Sequence, residues 1–280
     1  MEARTIAGRE LHPIGIGTWS MGGDRLSDGN PYADYRDDDA CIEAIRYSVE
    51  RGQNHIDTAQ LYGAGHTEEI VGEALKGLDR SRLFIATKVW RSHSLRNAVP
   101  KAAEDSLRKM GIDKIDLLYV HAPWDAIEMS EYIEGLNDAA DAGLTSAIAV
   151  SNFTLDQLKA AVAISRRSIA ANQVLYNIIE RGPVDQAFLS YCREQGIAVV
   201  AYRPVERRLL ADKLENKTVR NMAETHGRPA SQIAIRWLVQ QPGVITIPKA
   251  VSREHIDENL GAMDFSLSDD DMAALDGAAG

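Results

Sequence analysis

Cysteine is scarce in this 280-residue chain: only Cys41 and Cys192 occur, far apart and within helical patterns. Two such thiols read as reduced core residues, which argues against a disulfide-stapled extracellular scaffold. No apolar run reaches the roughly 18 residues that a membrane span needs. The opening Met-Glu-Ala-Arg-Thr-Ile-Ala-Gly-Arg has no apolar segment of the signal type, so a cytoplasmic location is expected. Basic residues are outnumbered 31 to 41, giving a net charge of −10, and they form no run. Nucleic acid and anionic membranes are therefore poor partners. Several cofactor and metal patterns are also missing. Gly15-x-Gly17 is followed by Ser20 rather than a third glycine, which removes the dinucleotide fingerprint of a Rossmann unit. No Tyr has a Lys four residues later, and there is no H-E-x-x-H or C-x-x-C. With seven scattered histidines, no metal site is expected.

What is present alternates. Residues 4–12 suggest a small hairpin turning at Ala7-Gly8-Arg9. Apolar runs at 14–19, 54–57, 83–89, 115–120, 147–150, 170–174, 197–201 and 244–247 read as strands, several without polar alternation, as for strands covered on both faces. Helical stretches lie between most of them, such as 101–110 and 185–195, and two segments, 217–226 and 231–241, precede the last strand. Asp37-Asp38-Asp39 opens a helix to about Glu50, where acidic side chains suit the positive end. No linker divides the chain. The expected fold is α/β, a (β/α)8 TIM barrel spanning 1–280 as one domain, with an N-terminal β-hairpin and extra helices. An open doubly wound sheet is the alternative.

In a barrel, chemistry sits at the C-terminal ends of the strands. Those ends carry Asp57 with Tyr62 beyond it, Lys88, His121, Ser151-Asn152, Gln173, Tyr202 and Lys249. Each alone has an ordinary structural reading: Lys88 a salt-bridge partner, His121 a core histidine, Ser151 and Asn152 helix caps. Together an Asp, a Tyr, a Lys and a His on neighbouring strands make a coherent set. A phenol is a poor acid near neutrality, and an adjacent ammonium is expected to depress its pKa. Asp57 can hold that ammonium, and His121 can orient a carbonyl.

His55-Ile56-Asp57-Thr58-Ala59-Gln60-Leu61-Tyr62-Gly63, the stretch 99–123 (VPKAAEDSLRKMGIDKIDLLYVHAP) and the stretch 247–260 (IPKAVSREHIDENL) resemble the aldo-keto reductase superfamily over essentially the whole length. The resemblance implies metal-free hydride transfer between NAD(P)H and an aldehyde or ketone, on a TIM barrel. It makes Tyr62 the general acid, tuned by Lys88 and Asp57, with His121 orienting the substrate carbonyl. It places Ser151, Asn152 and Gln173 on the nicotinamide carboxamide and the Tyr202 ring under the nicotinamide. Lys249 then faces the 2′-phosphate, and Glu258 and Asn259 face the adenine. Where the family has an Arg on that phosphate this chain has His255, with Arg253 as a possible substitute; Ala250 replaces a common hydroxyl residue. NADPH is therefore the expected cofactor, with NADH use also open. Arg203 stands where a Ser is common, and either the cofactor pyrophosphate or the substrate mouth would suit its guanidinium.

Trp19, Trp90 and Trp124 are expected pocket walls, together with the segments 19–37 and 203–208. The expected partner is a small carbonyl or alcohol, and a monomer is the default. Two competing readings are a cofactor-binding regulatory or sensor subunit with slow turnover, and a Schiff-base lyase using Lys88.

Overall fold

Ile6 and Leu11 close one end of the structure before the barrel begins. The computed structural model describes residues 4–23, 37–205 and 216–278. β1 (Arg4–Ile6) and β2 (Arg9–Leu11) form an antiparallel hairpin. Its turn residues Ala7 and Gly8 have φ of 49° and 77°, the left-handed pair that matches the twist of a two-residue hairpin. Ile6 and Leu11 are buried in one cluster with Phe84, Leu117, Ala170, Ala198 and Ile245, residues near the starts of barrel strands. The hairpin is thus an apolar plug, and the open face lies at the strands' other ends.

Eight parallel strands follow: β3 (Ile16–Gly17), β4 (His55–Asp57), β5 (Phe84–Val89), β6 (Ile115–Val120), β7 (Thr145–Ser151), β8 (Ile169–Leu175), β9 (Ala198–Tyr202) and β10 (Val244–Thr246). Each pairs with the next in chain order. The ring closes where Gly15 N–H donates to Thr246 O at 2.7 Å, Thr246 N–H to Pro13 O at 3.0 Å and Gly17 N–H to Pro248 O at 3.1 Å. The expected (β/α)8 barrel with an N-terminal hairpin is the fold.

Helices pack outside the ring, among them Asp38–Glu50, His66–Leu75, Val99–Met110, Met129–Asp141, Leu155–Ile164 and Gln186–Gln195. Asp37 caps the first, accepting from Ala40 N–H at 3.1 Å. Val99–Met110 starts two residues earlier than the sequence pattern indicates, because Pro100 is accommodated in its first turn. Cys41 and Cys192 are both buried on helices, with the Cys41 thiol donating to the Met21 carbonyl at 3.3 Å.

One strand is much shorter than its sequence run. The stretch 14–19 yields only Ile16–Gly17, at the seam where the first and last strands meet. A Cβ on Gly17 would collide with the Ile247 carbonyl oxygen. Glycine there permits the close approach of the two edges, and the same glycines give the run little side-chain packing as a strand.

Candidate active site

Strand alternation determines what lies inside the open end. Asp57 ends β4, and Lys88 stands on β5 two residues after Ala86, which pairs with Asp57 across the ladder. Both side chains face the interior and are almost wholly buried. After β4 the chain stays beside β5, with Thr58 N–H donating to Ala86 O at 2.9 Å and Gln60 N–H to Lys88 O at 3.1 Å. A helical turn, Tyr62–Gly65, then brings Tyr62 back over the strand ends. Gly63, Ala64 and Gly65 in that turn have φ of 55°, 55° and 98°, and a side chain on Gly63 would strike the Gly22 backbone. Only a run of small residues can make this bend.

Lys88 is the hub. Its Nζ donates to Asp57 Oδ1 at 2.5 Å, to the Thr58 carbonyl at 2.8 Å and to the Tyr62 hydroxyl at 3.4 Å. It also lies 5.0 Å from the centroid of the Tyr62 ring and 5.8 Å from that of Tyr119, which is fully buried on β6. The second Asp57 oxygen accepts from Gln173 Nε2 at 2.7 Å, and the Asp57 carbonyl accepts from Thr18 Oγ1 at 2.9 Å. Burial disfavours the ammonium, but Asp57 and Tyr62 outweigh it and raise the Lys88 pKa above its ordinary value. A buried pair with this many partners is held in one geometry, and removing either partner would strand a charge.

Tyr62 differs from the sequence expectation in one respect. Burial is the largest influence on it and pushes the phenol pKa above 10.0; Lys88 opposes this without reversing it. The phenol is therefore a held proton at neutral pH. His121 follows β6; its ring is 5.8 Å from Tyr62 and 5.1 Å from Trp90, both edge-to-face. Its Nδ1 is buried without a hydrogen-bond partner, and burial, then the Lys88 and Arg91 charges, take its pKa down to about 3. It is a neutral imidazole. Trp19 packs edge-on against Tyr62 at 5.0 Å, so Trp19 and Trp90 flank the two groups. Trp124 is half-buried in the loop after β6. Of the expected wall segments, residues 24–36 and 206–208 lie outside the described residues.

A polar chain leads away from this centre along neighbouring strand ends. Ser151 Oγ donates to the Gln173 carbonyl at 2.9 Å. Asn152, at φ 63°, donates from Nδ2 to His121 O at 3.1 Å and accepts from the Tyr202 hydroxyl at 2.9 Å. The Tyr202 ring is thereby fixed, half-exposed, at the last position of β9. Arg203 follows at φ 53°, exposed, its carbonyl accepting from Asn177 Nδ2 at 3.1 Å.

The remaining expected positions are peripheral to that chain. Lys249 is exposed after β10. Arg253 and His255 occupy the first turn of the helix Arg253–Leu260, capped by Ser252. The Arg253 guanidinium lies 4.7 Å over the Tyr47 ring and 3.9 Å from Glu43. Glu258 accepts from Ser231 Oγ, and Asn259 is half-buried beside it.

Sequence reasoning missed the Thr58 carbonyl, Thr18, Tyr119 and Glu68. Glu68 is fully buried and accepts from Thr87 Oγ1 at 2.7 Å, tying the helix after Tyr62 to the strand bearing Lys88. Its position one turn into an otherwise apolar helix face is the one signal that could have marked it.

Fold and site together define a barrel enzyme whose polar centre lies at the C-terminal strand ends. The model of the Aldo/keto reductase family matches residues 13–279. Methylglyoxal reductase YeaE of Escherichia coli (strain K12) is 32% identical over 272 residues, covering 96% of this chain and 91% of that protein. The crystal structure of the thermostable aldo-keto reductase Tm1743 with the inhibitor epalrestat superposes with a TM-score of 0.91 at 36% identity, covering all of both chains. An aldo-keto reductase from Klebsiella pneumoniae, solved in complex with NADPH, gives a TM-score of 0.85 at 31% identity, over 99% of this chain and 95% of that one. The chain belongs to the aldo/keto reductase family.

Proposed function

We propose that this protein reduces aldehydes and ketones, reversibly, with NADPH as the hydride source and Tyr62 as the proton donor. The observation that carries it is the threefold contact of Lys88 Nζ with Asp57, the Thr58 carbonyl and Tyr62.

The residues present suit a nicotinamide cofactor. Tyr202 offers a flat, half-exposed ring held by Asn152, and Ser151, Asn152 and Gln173 bring hydroxyl and amide groups of the kind that recognise a carboxamide. Lys249, Arg253 and His255 supply cationic or polar groups at the exposed end, Arg253 and His255 in the first turn of a helix, and this suits phosphate. Glu258 and Asn259 lie at the same end for the adenine, and similarity to an enzyme crystallised with NADPH supports the assignment. When bound, the cofactor supplies a hydride to the carbonyl carbon.

The chain's own residues do the rest. A neutral His121 donates one N–H to the carbonyl oxygen and aligns it. As negative charge builds on that oxygen, the Tyr62 O–H gives up its proton. The phenolate left behind sits beside the Lys88 ammonium, which is fixed in advance by Asp57 and the Thr58 carbonyl and needs no reorganisation. Gln173 and Thr18 hold Asp57, while Trp19 and Trp90 keep water from the reacting atoms.

The test is NADPH absorbance against a panel of aldehydes and ketones, together with single-turnover oxidation of bound NADPH by an aromatic aldehyde. Steady turnover is expected. One slow turnover without steady-state flux would identify a sensor instead.

A further inference from the structure

We propose that Arg91 is an anion-binding residue at the mouth of the site, so that the favoured substrates are carbonyl compounds bearing a carboxylate remote from the reacting carbonyl. This rests on the reductase reading above.

Arg91 follows Trp90 at the end of β5, three residues after Lys88, in the short helical turn Arg91–His93. Its guanidinium carbon lies 4.8 Å from the centroid of the Trp90 ring. Trp90 meets His121 edge-to-face at 5.1 Å, and His121 meets Tyr62 at 5.8 Å. Guanidinium, indole, imidazole and phenol are thus linked by successive contacts at the C-terminal ends of the strands. The positive charge of Arg91 is felt at the His121 ring, where it opposes protonation. A substrate with its carbonyl oxygen at Tyr62 and His121 would direct its far end along Trp90 toward Arg91.

The guanidinium's surroundings indicate what would sit there. Several other surface arginines of this acidic chain are neutralised by carboxylates. Arg96 pairs with Glu134 and Asp138, Arg166 with Glu134, Asp138 and Asp141, and Arg51 with Asp257. Arg91 is partly buried, its Nε is shielded from solvent with no acceptor, and among the described residues it has no carboxylate partner. The guanidinium lies over the Trp90 ring, and its fork of N–H donors has no carboxylate to take it up among the described residues. A planar fork fits a carboxylate through two parallel hydrogen bonds, and a stacked arginine is preorganised for them.

Steady-state kinetics with 4-carboxybenzaldehyde and methyl 4-formylbenzoate, for the native protein, Arg91→Gln and Arg91→Lys, test this. The Gln variant is expected to lower the acid-to-ester ratio of kcat/KM about tenfold, mainly through KM, as expected for loss of a charge-assisted hydrogen bond. The Lys variant should recover part of it. A ratio that stays within twofold of native in Arg91→Gln overturns the proposal. Titration of tryptophan fluorescence with benzoate separates this from the reductase reading. Benzoate should bind the native protein at least fivefold more tightly than the Gln variant even if neither aldehyde is reduced, and equal affinity overturns the role of Arg91.

Discussion

The buried cluster around Lys88 and the exposed cations after β10 are built differently, and they are the inner and outer ends of the proposed site. At the inner end Lys88, Asp57 and Gln173 are buried, and each hydrogen-bonds another member of the cluster. At the outer end Lys249, Arg253 and His255 are exposed, and Arg253 rests on Tyr47 and Glu43 in a way a competing anion could displace. The inner end is preorganised by the protein itself, at the cost of desolvating its charges during folding. The outer end has high-dielectric surroundings, so its cations contribute modestly and depend on salt. Chemistry should therefore be all-or-none at one end and graded at the other.

Lys88→Met attacks the contrast where it is strongest. It leaves Asp57 charged and buried with only Gln173 and removes the cation beside Tyr62. Turnover should fall on the order of a thousandfold, and a thermal melt should show a stability loss of about 3–5 kcal/mol. Loss of activity with an unaltered melt would show that the pair is not integral to the fold. Lys249→Met tests the outer end. KM for NADPH is expected to rise about tenfold and that for NADH less than twofold, since a 2′-phosphate is the only difference a cation there can read. Equal effects on both cofactors would remove Lys249 from the phosphate.

The smallest effect is on acid stability. His55, fully buried beneath Asp57, is held to about 4, and His121 to about 3, both by burial first and against an ordinary 6.5. The native state then binds fewer protons than the unfolded chain below pH 6.5. The stability these groups contribute is full above about 6.5 and is lost as pH falls toward 4 and then 3. His55→Leu should flatten the fall in melting temperature between pH 6.5 and 4 by on the order of 3 °C per pH unit. An unchanged slope would mean that His55 is not kept neutral.

Much of the inner end was legible in the sequence, because residue type and strand-end position are both sequence properties. Asp57, Lys88 and His121 each lie at or beside the end of an apolar run whose neighbours are strands, and the period of two sends Asp57 and Lys88 inward. What could not be read depends on backbone direction or on burial. The Thr58 carbonyl reaches Lys88 only because of how the chain leaves β4. The two-residue β3 reflects the close approach of Gly17 to the Ile247 carbonyl, a constraint that appears only when the ring closes. The net direction of the Tyr62 pKa required weighing Lys88 against desolvation, and no spacing rule carries that balance. Glu68 was hidden for the same reason, since its partner Thr87 comes from another element.

The most direct measurement is Tyr62→Phe, which deletes one hydroxyl and leaves the ring against Trp19 and His121. The expected result is a fall in kcat of about 10²–10⁴-fold with NADPH affinity within threefold of native. Turnover at the native rate would contradict the assignment of the proton donor.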